Sequence, residues 1–260
     1  MKKKYSISCG TICEIGDKKP TNQDCIFARH AYINDQTVGL FIVADGVGGL
    51  SDGDVISNII ALHFEKWFNR ISSGVVPAQN YITEIDKEIL TVNKMAYDYA
   101  QSVGQKMGST IALLFTVDDK YYVRNIGDSR IYYLDKSMQF VQLSYDHSFV
   151  AELVRTGEIT EMEAKVHPKK NMIYSCVAVK PDVEIYSAEN YMEHKENIFI
   201  VCSDGFYNYA VGEKVMQVLK DKKSSEQEKA ENLRKCIPAG NAKDNVSIIF
   251  VKVSVKNRLF

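Results

Sequence analysis

The chain has 260 residues, with 32 Lys+Arg against 33 Asp+Glu and a formal net charge of -1. That balance excludes a nucleic-acid binder working through bulk positive charge, and 45% hydrophobic residues exclude a disordered chain. The length fits one large domain or two small ones with a sizeable core, and with no repeat, low-complexity segment or linker one domain over 1–260 is the simplest reading.

Met1 to Tyr5 carries the positive charge of a signal peptide but lacks the ~7–15-residue apolar stretch that must follow. Tyr5 to Cys13 alternates as a strand does, and Cys25 to Tyr32 and Val38 to Ala44 read as two more strands joined at Asn34-Asp35. Two helices follow. Ile56, Ile59, Ile60, His63, Trp67 and Ile71 share one face, and Ile82, Ile85, Ile89, Val92, Ala96 and Tyr99 share another. Strands are predicted at Thr110 to Val117, Tyr121 to Ile126 and Arg130 to Leu134, with a short edge strand at Phe140 to Leu143. A mostly helical insert runs from Phe149 to Val166. Strands at Val183 to Ala188, Asn197 to Cys202 and Val246 to Val253 close the chain, with helices between about Val211 and Lys235.

Strands come in hairpin-like runs and helices in pairs, which predicts an α+β fold of antiparallel or mixed sheets with helices outside. The longest apolar runs, Val38 to Ala44 and Ser109 to Val117, have strand length and cannot span a bilayer. Cys9, Cys13, Cys25, Cys176, Cys202 and Cys236 form no CxxC, sit mostly inside apolar runs and read as buried free thiols, which points to a cytoplasmic protein.

Chemistry is expected at aspartates beside apolar strands. Asp45 follows Phe41-Ile42-Val43-Ala44 and precedes Gly46-Val47-Gly48-Gly49. Asp204 follows Ile198 to Ser203 and precedes Gly205; Asp128 sits in Gly127-Asp128-Ser129-Arg130; Asp24 and Asp244 each lie just before a strand. Any one of these is ordinary turn chemistry, as Asp52-Gly53 is. Together they are candidates to converge at one sheet edge. Crowded carboxylates repel, a divalent cation removes the repulsion, and all-oxygen ligation suits Mg2+ or Mn2+. Two such ions can clamp a phosphoryl group, so a two-metal phosphoryl hydrolase and a set of unrelated turns both fit the residues alone.

Taken together the motifs resemble the metal-dependent serine/threonine protein phosphatases of type 2C, in their compact bacterial form. They run in family order: Asn22-Gln23-Asp24; Asp45-Gly46-Val47-Gly48-Gly49, with Gly53-Asp54 and Ser57; Gly108-Ser109-Thr110; Asn125-Ile126-Gly127-Asp128-Ser129-Arg130; Asp146-His147-Ser148; Gly157-Glu158-Ile159-Thr160, with His167-Pro168 and Asn171; Ser203-Asp204-Gly205; and Asp244-Asn245. The likeness spans Tyr5 to Val253.

The resemblance implies a four-layer sandwich, two mainly antiparallel sheets packed face to face with paired helices on the outer faces. It implies that Asp45 bridges two ions, Mn2+ or Mg2+, with the Gly46 carbonyl on one of them. Asp24 would hold one ion, Asp204 and Asp244 the other, and Asp128 a weaker third. A flap over about 149–171 would influence substrate choice. A hydroxide bridging the ions would attack the phosphorus of phosphoserine or phosphothreonine directly.

Four departures bear on these expectations. Lys19 stands where the family usually has the arginine that grips the substrate phosphate, and a lysine brings charge without a bidentate fork. Val47 replaces a candidate acid, the histidine of many eukaryotic members, leaving metal-bound water as proton source. Asn208 replaces an acid that supports the third ion. After the flap, Val177-Ala178 stands for Leu-Gly and Ser175 for an arginine.

The expected partners are phosphorylated proteins, namely a bacterial serine/threonine kinase and its targets, with no nucleic acid and no membrane, and the expected state is a monomer. Two alternatives stay open on the sequence: a phosphatase-like regulatory or phosphoprotein-binding module, and a phosphatase of small phosphate esters. His147 and His167 read as structural hydrogen-bonding residues, Trp67 as helix-face core, and Arg130 as the partner of Asp128 or a neighbouring carboxylate.

Overall fold

The structure, a computed structural model, describes residues 4–47, 52–135, 137 and 139–256. Gly48 and Gly49 of the glycine-rich motif lie outside the described residues. The strands are β1 (Tyr5–Glu14), β2 (Cys25–Ile33), β3 (Gln36–Ala44), β4 (Ile111–Val117), β5 (Lys120–Ile126), β6 (Arg130–Leu134), β7 (Phe140–Gln142), β8 (Tyr186–Tyr191), β9 (Glu196–Cys202) and β10 (Val246–Val255). The helices are α1 (Gly53–Ser72), α2 (Tyr81–Ser102), α3 (Phe149–Arg155), α4 (Glu161–Val166), α5 (Asp204–Tyr207), α6 (Gly212–Lys220) and α7 (Glu226–Arg234), with one 3-10 turn at Ala78–Asn80.

The strands form two five-stranded sheets, ordered β1-β10-β9-β6-β7 and β2-β3-β4-β5-β8. Every ladder in both is antiparallel. Alternation along each central strand feeds two cores at once, because successive side chains point to opposite faces. On β3, Phe41 and Val43 face the other sheet and pack with Leu114, Phe199, Val201 and Val251. Their neighbours Leu40, Ile42 and Ala44 face outward onto Ile56, Ile60, Phe64 and Trp67 of α1 and Ile89 of α2. On β10, Ile249 and Val251 face inward, while Ile248 and Phe250 meet Val215 and Leu219 of α6 and Leu233 of α7. Both faces of the central strands are therefore buried, which is why they read as apolar runs rather than alternating ones. The layers are helix, sheet, sheet, helix, the sandwich that the family resemblance implied. Among the described residues no helix is long and apolar enough to cross a membrane.

The turns follow local chemistry. Asn34 and Asp35 both adopt positive φ (51° and 60°), as a two-residue turn between β2 and β3 requires. Asp118 does the same at 51° between β4 and β5.

Two elements differ from expectation. The strand expected at Val183 to Ala188 is β8, displaced to Tyr186–Tyr191. It is an edge strand paired along one side to β5, Tyr186 opposite Asn125 and Tyr191 opposite Lys120, so its pairing runs through polar residues. Val183 and Ile185 still pack on the α1/α2 core, but from an unpaired segment. The short helix α5 was not expected, because it starts at the aspartate that ends an apolar strand.

The six cysteines are free thiols. Cys202 and Cys236 are buried, Cys9, Cys25 and Cys176 are half-buried, and Cys13 is exposed, so burial is less general than the apolar runs suggested.

Candidate metal centre

The antiparallel register gathers one set of strand ends. Val43 pairs with Ala112 and Ala44 with Cys25, so the end of β3 lies beside the start of β2 and the start of β4. Ile111 pairs with Ile126, which puts the end of β5 there too. In the other sheet Cys202 pairs with both Arg130 and Ile248, aligning the end of β9 with the starts of β6 and β10. Asp24, Asp45, Asp128, Asp204 and Asp244 each lie within two residues of one of these ends. Five aspartates far apart in the chain therefore share one end of the sandwich.

Backbone and side-chain bonds fix each of them. The Asp45 amide donates to Thr110 Oγ1 at 3.0 Å, and its carbonyl accepts the Ser109 hydroxyl at 3.0 Å and the Thr110 amide at 2.8 Å. Gly46 donates its N–H to the Gln23 carbonyl at 3.2 Å, and Ser57 of α1 donates to the same carbonyl at 2.6 Å. A Cβ on Gly46 would stand 2.7 Å from that carbonyl oxygen, so glycine is the residue that lets the Asp24 and Asp45 segments touch. Asn245 ties the same region to β10. Its Oδ1 accepts the Gln23 amide at 2.9 Å, and its Nδ2 donates to the Ile15 and Thr21 carbonyls, both at 2.9 Å. On the other side a Cβ on Gly205 would sit 1.9 Å from the Asn245 carbonyl oxygen, so α5 lies directly on the start of β10.

The electrostatics are those of crowded acids. Asp24 is buried, with neither carboxylate oxygen hydrogen-bonded. Burial pushes it up to about 6, opposed by the nearby Ser247 and Ser203 hydroxyls and reinforced to a lesser degree by the charge of Asp244. Burial and the charges of Asp24, Asp204, Asp128 and Asp244 hold Asp45 well above the usual carboxylate range. Asp128 is pushed up to about 6, by burial and then by Asp146. Asp204 is pushed up to about 8, by burial and then by Asp128, Asp244 and Asp24. Two cations act on this field: Arg130 opposes the rise at Asp128, and Lys19 meets Asp244. The Lys19 ammonium lies 2.6 Å from Asp244 Oδ1 and is held charged by Asp244, Asp45 and Asp204 against the cost of its own burial.

Comparison with known proteins decides what this constellation belongs to. Residues 16–238 match the profile of the family described as Protein phosphatase 2C. This chain belongs to the protein phosphatase 2C family. A curated relative, the serine/threonine phosphatase stp of Listeria welshimeri, is 32% identical over 222 residues, covering 84% of this chain and 86% of that one. The crystal structure of Stp1 from Staphylococcus aureus superposes with a TM-score of 0.85 at 24% identity, over 99% of this chain and 98% of that one. The catalytic domain of PstP, solved in complex with two manganese ions, superposes at 0.80 with 21% identity, over 96% and 99%. These two structures bear on the fold.

Members of the family are metal-dependent, and this phosphatase 2C chain has a donor set that suits hard divalent ions. The site is all oxygen, and the unpartnered carboxylate of Asp24 is the kind of buried charge that a cation satisfies. Among the described residues no three His, Cys, Asp or Glu side chains close into a ready-made cage. Ions of this class do not need one, since they keep several waters and take one or two carboxylates each.

Around the carboxylates the phosphatase carries residues that hold the aspartate-bearing turns, most of them named in the sequence reading. Arg130 grips Asp146 rather than Asp128, through Nε at 2.9 Å and Nη2 at 2.6 Å, and its guanidinium lies 3.8 Å from the centre of the Tyr207 ring. The Tyr207 hydroxyl in turn donates to the Asp128 carbonyl at 3.0 Å, joining α5 to the Asp128 turn. Asn208 donates to Asp204 Oδ2 at 3.2 Å, so the residue replacing an acid there binds a neighbouring aspartate. His147 accepts the Gly127 amide on Nδ1 at 3.2 Å, and His167 accepts the Lys169 amide on Nδ1 at 3.1 Å, the structural parts expected of both. Trp67 is core. The sequence signal for Asn245 was present, a polar residue directly before an apolar strand. Tyr207 had none beyond its place three residues after Asp204.

The segment expected to form a flap, about 149–171, contains two short helices, α3 and α4, with no buried residue on either. Ser148 caps α3, and Thr160 and Glu163 form a capping box on α4. Past it, Ala178 adopts φ 72°, a conformation suited to the glycine usual in the family, and its amide donates to Asn93 Oδ1 at 3.0 Å. Asn93 of α2 also donates to the Lys180 and Pro181 carbonyls at 3.1 and 2.9 Å, pinning this seam to the helix layer.

Proposed function

We propose that this protein phosphatase hydrolyses phosphoserine and phosphothreonine at the carboxylate end of the sandwich. The observation that carries the reading is the convergence of five aspartates around the buried, unpartnered Asp24. In this reading Asp45 would contribute to the sites of two ions, Mn2+ or Mg2+. Asp24 and the Gly46 carbonyl serve one ion, Asp204 and Asp244 the other, and Asp128 a weaker third. Bound there, the ions supply the nucleophilic water for direct attack on phosphorus and neutralise the transferring oxygens.

The chain's own residues do the rest. The buried network of Thr110, Ser109, Gln23 and Asn245 holds the carboxylates so that little reorganisation is needed during reaction. Lys19 supplies a point charge for the substrate phosphate. Val47, directly after Gly46, cannot donate a proton, so the leaving serine oxygen takes its proton from water. Phosphoproteins made by a bacterial serine/threonine kinase are the expected substrates, and the enzyme acts as a monomer in the cytoplasm.

The test is hydrolysis of a phosphoserine peptide in manganese or magnesium, set beside small phosphate esters and repeated in EDTA. Turnover of the peptide that EDTA abolishes supports the proposal. Turnover confined to small esters would make it a small-molecule phosphatase. A second reading, a phosphoprotein-binding module, draws on the Lys19–Asp244 pair, since an ammonium already partners one of the acids. Calorimetry with Mn2+ separates the two, because a binding module shows neither tight divalent binding nor turnover of p-nitrophenyl phosphate.

A further inference from the structure

A cleft of about 890 Å³ opens between the flap helix α3 and the free side of β8. Its walls are aromatic and acidic: Tyr145, His147, Tyr174 and Tyr186, with Glu152 and Glu184. The rings form one connected set. Tyr145 lies 5.9 Å from Tyr186 and 6.0 Å from His147, and His147 lies 5.6 Å from Tyr174, centre to centre. None of these residues belongs to the carboxylate cluster.

The cleft nevertheless joins the catalytic end. Tyr186 pairs with Asn125 on β5. Asn125 Nδ2 donates to the Tyr145 carbonyl at 2.9 Å and to the Gly127 carbonyl at 3.1 Å. The Gly127 amide donates to His147 Nδ1 at 3.2 Å, and Asp128 is the next residue. His147 is therefore bonded to the turn that carries Asp128, and Tyr145 reaches it through Asn125, so the cleft begins on the flap side of the catalytic end.

Its chemistry selects one kind of occupant. Aromatic faces carry negative potential and attract a cation lying over them. Glu152 is committed: it accepts from the Tyr145 hydroxyl at 3.0 Å and from Arg155 Nε at 3.0 Å, so the single arginine on the rim is already neutralised. Glu184 is exposed and forms no ion pair among the described residues. An acidic side chain would meet Glu184 and the ring faces with the wrong sign, whereas a basic one would meet both with the right sign.

We propose that this cleft is a specificity subsite for a lysine or arginine side chain flanking the phosphorylated residue of the substrate protein. The proposal rests on the phosphoserine/phosphothreonine reading above, since it needs a phosphate at the carboxylate cluster and a chain leading away from it. The flap wall of the subsite comes from α3, which links the exposed hairpin to substrate choice through named side chains.

The experiment uses phosphoserine peptides carrying Lys, Ala or Glu at each of the four positions on either side, with p-nitrophenyl phosphate as a substrate that cannot reach the cleft. In wild-type protein one or two flanking positions are expected to favour Lys over Ala by about 5–20-fold in kcat/KM, mostly through KM, with Glu below Ala. Tyr174→Ala and Glu184→Gln, both at exposed positions, should remove that preference while leaving p-nitrophenyl phosphate and the alanine peptide unchanged. Equal rates for Lys, Ala and Glu peptides in wild type would overturn the subsite. So would a basic preference that survives both substitutions, or a loss that extends to p-nitrophenyl phosphate. Failure of wild type on every phosphopeptide, with turnover of p-nitrophenyl phosphate intact, would instead overturn the protein-substrate reading and the subsite with it.

Discussion

The carboxylate end and the flap lie side by side but are held by opposite means. At the carboxylate end, buried groups from residues far apart in the chain interlock: Gln23 with Asn245, Asp45 with Thr110, Gly205 against the Asn245 carbonyl. The flap has no buried residue on its helices and relies on its own caps at Ser148 and Thr160. A site built from distant partners can hold repelling charges in place, because no single segment can move away. A hairpin built from local bonds can change sequence or position without disturbing the rest.

The largest test of this contrast is at the carboxylates. Asp45→Asn and Asp204→Asn should each lower phosphopeptide turnover on the order of 10²-fold or more, since each removes charge from the proposed ion sites. In the metal-free protein the same changes should raise the melting temperature by several degrees, because they remove a repelling acid. Calorimetric scans in EDTA read the second effect. Activity and stability moving the same way in both variants would break the account.

Next is pH. In the metal-free fold Asp24 and Asp128 titrate at about 6 and Asp204 at about 8, all above the ~4 of an unfolded chain. The folded state therefore holds these protons more tightly. Their contribution to stability is complete below about pH 4 and is lost as pH rises through 6 to 8. Denaturation midpoints in EDTA should fall over that interval, and saturating Mn2+ should flatten the fall. A midpoint that rises from pH 5 to 8 without metal would contradict the crowded-acid description.

Smaller effects are expected at the seam and in the flap. Asn93→Ala frees the Ala178 amide and the Lys180 and Pro181 carbonyls from their partner, and should cost about 1–3 kcal/mol in urea titrations. Thr160→Ala removes half of a capping box, worth ~1 kcal/mol to α4 itself. Because α4 buries nothing, the global melt should stay unchanged while amide exchange in α4 accelerates. A global loss from Thr160→Ala would show that the flap is part of the cooperative core.

The sequence carried the central strands and the two long helices well, because burial on both faces of β3 and β10 writes apolar runs, and burial on one side of α1 writes a helical stripe. It misplaced β8, where backbone pairing to β5 is independent of side-chain polarity. It also missed α5, four residues long and too short for any period. The five aspartates were visible because a charge beside an apolar strand stands out. That they meet followed from register, which no single segment displays. Asn93 and Tyr207 act through bonds across more than 75 residues of sequence, and such partners leave no local pattern.

The pairing of β1 with β10, Tyr5 opposite Val255, has a consequence for biosynthesis. The aspartates span residues 24 to 244, and the last of them is fixed only when β10 enters its sheet between β1 and β9. A chain still emerging from the ribosome can form the β2–β5 meander and its helices, yet lacks Asp204 and Asp244 until the β9 and β10 segments have been made. The five aspartates can therefore meet only after β10 has docked, and no truncated product ending before β10 could bring them together.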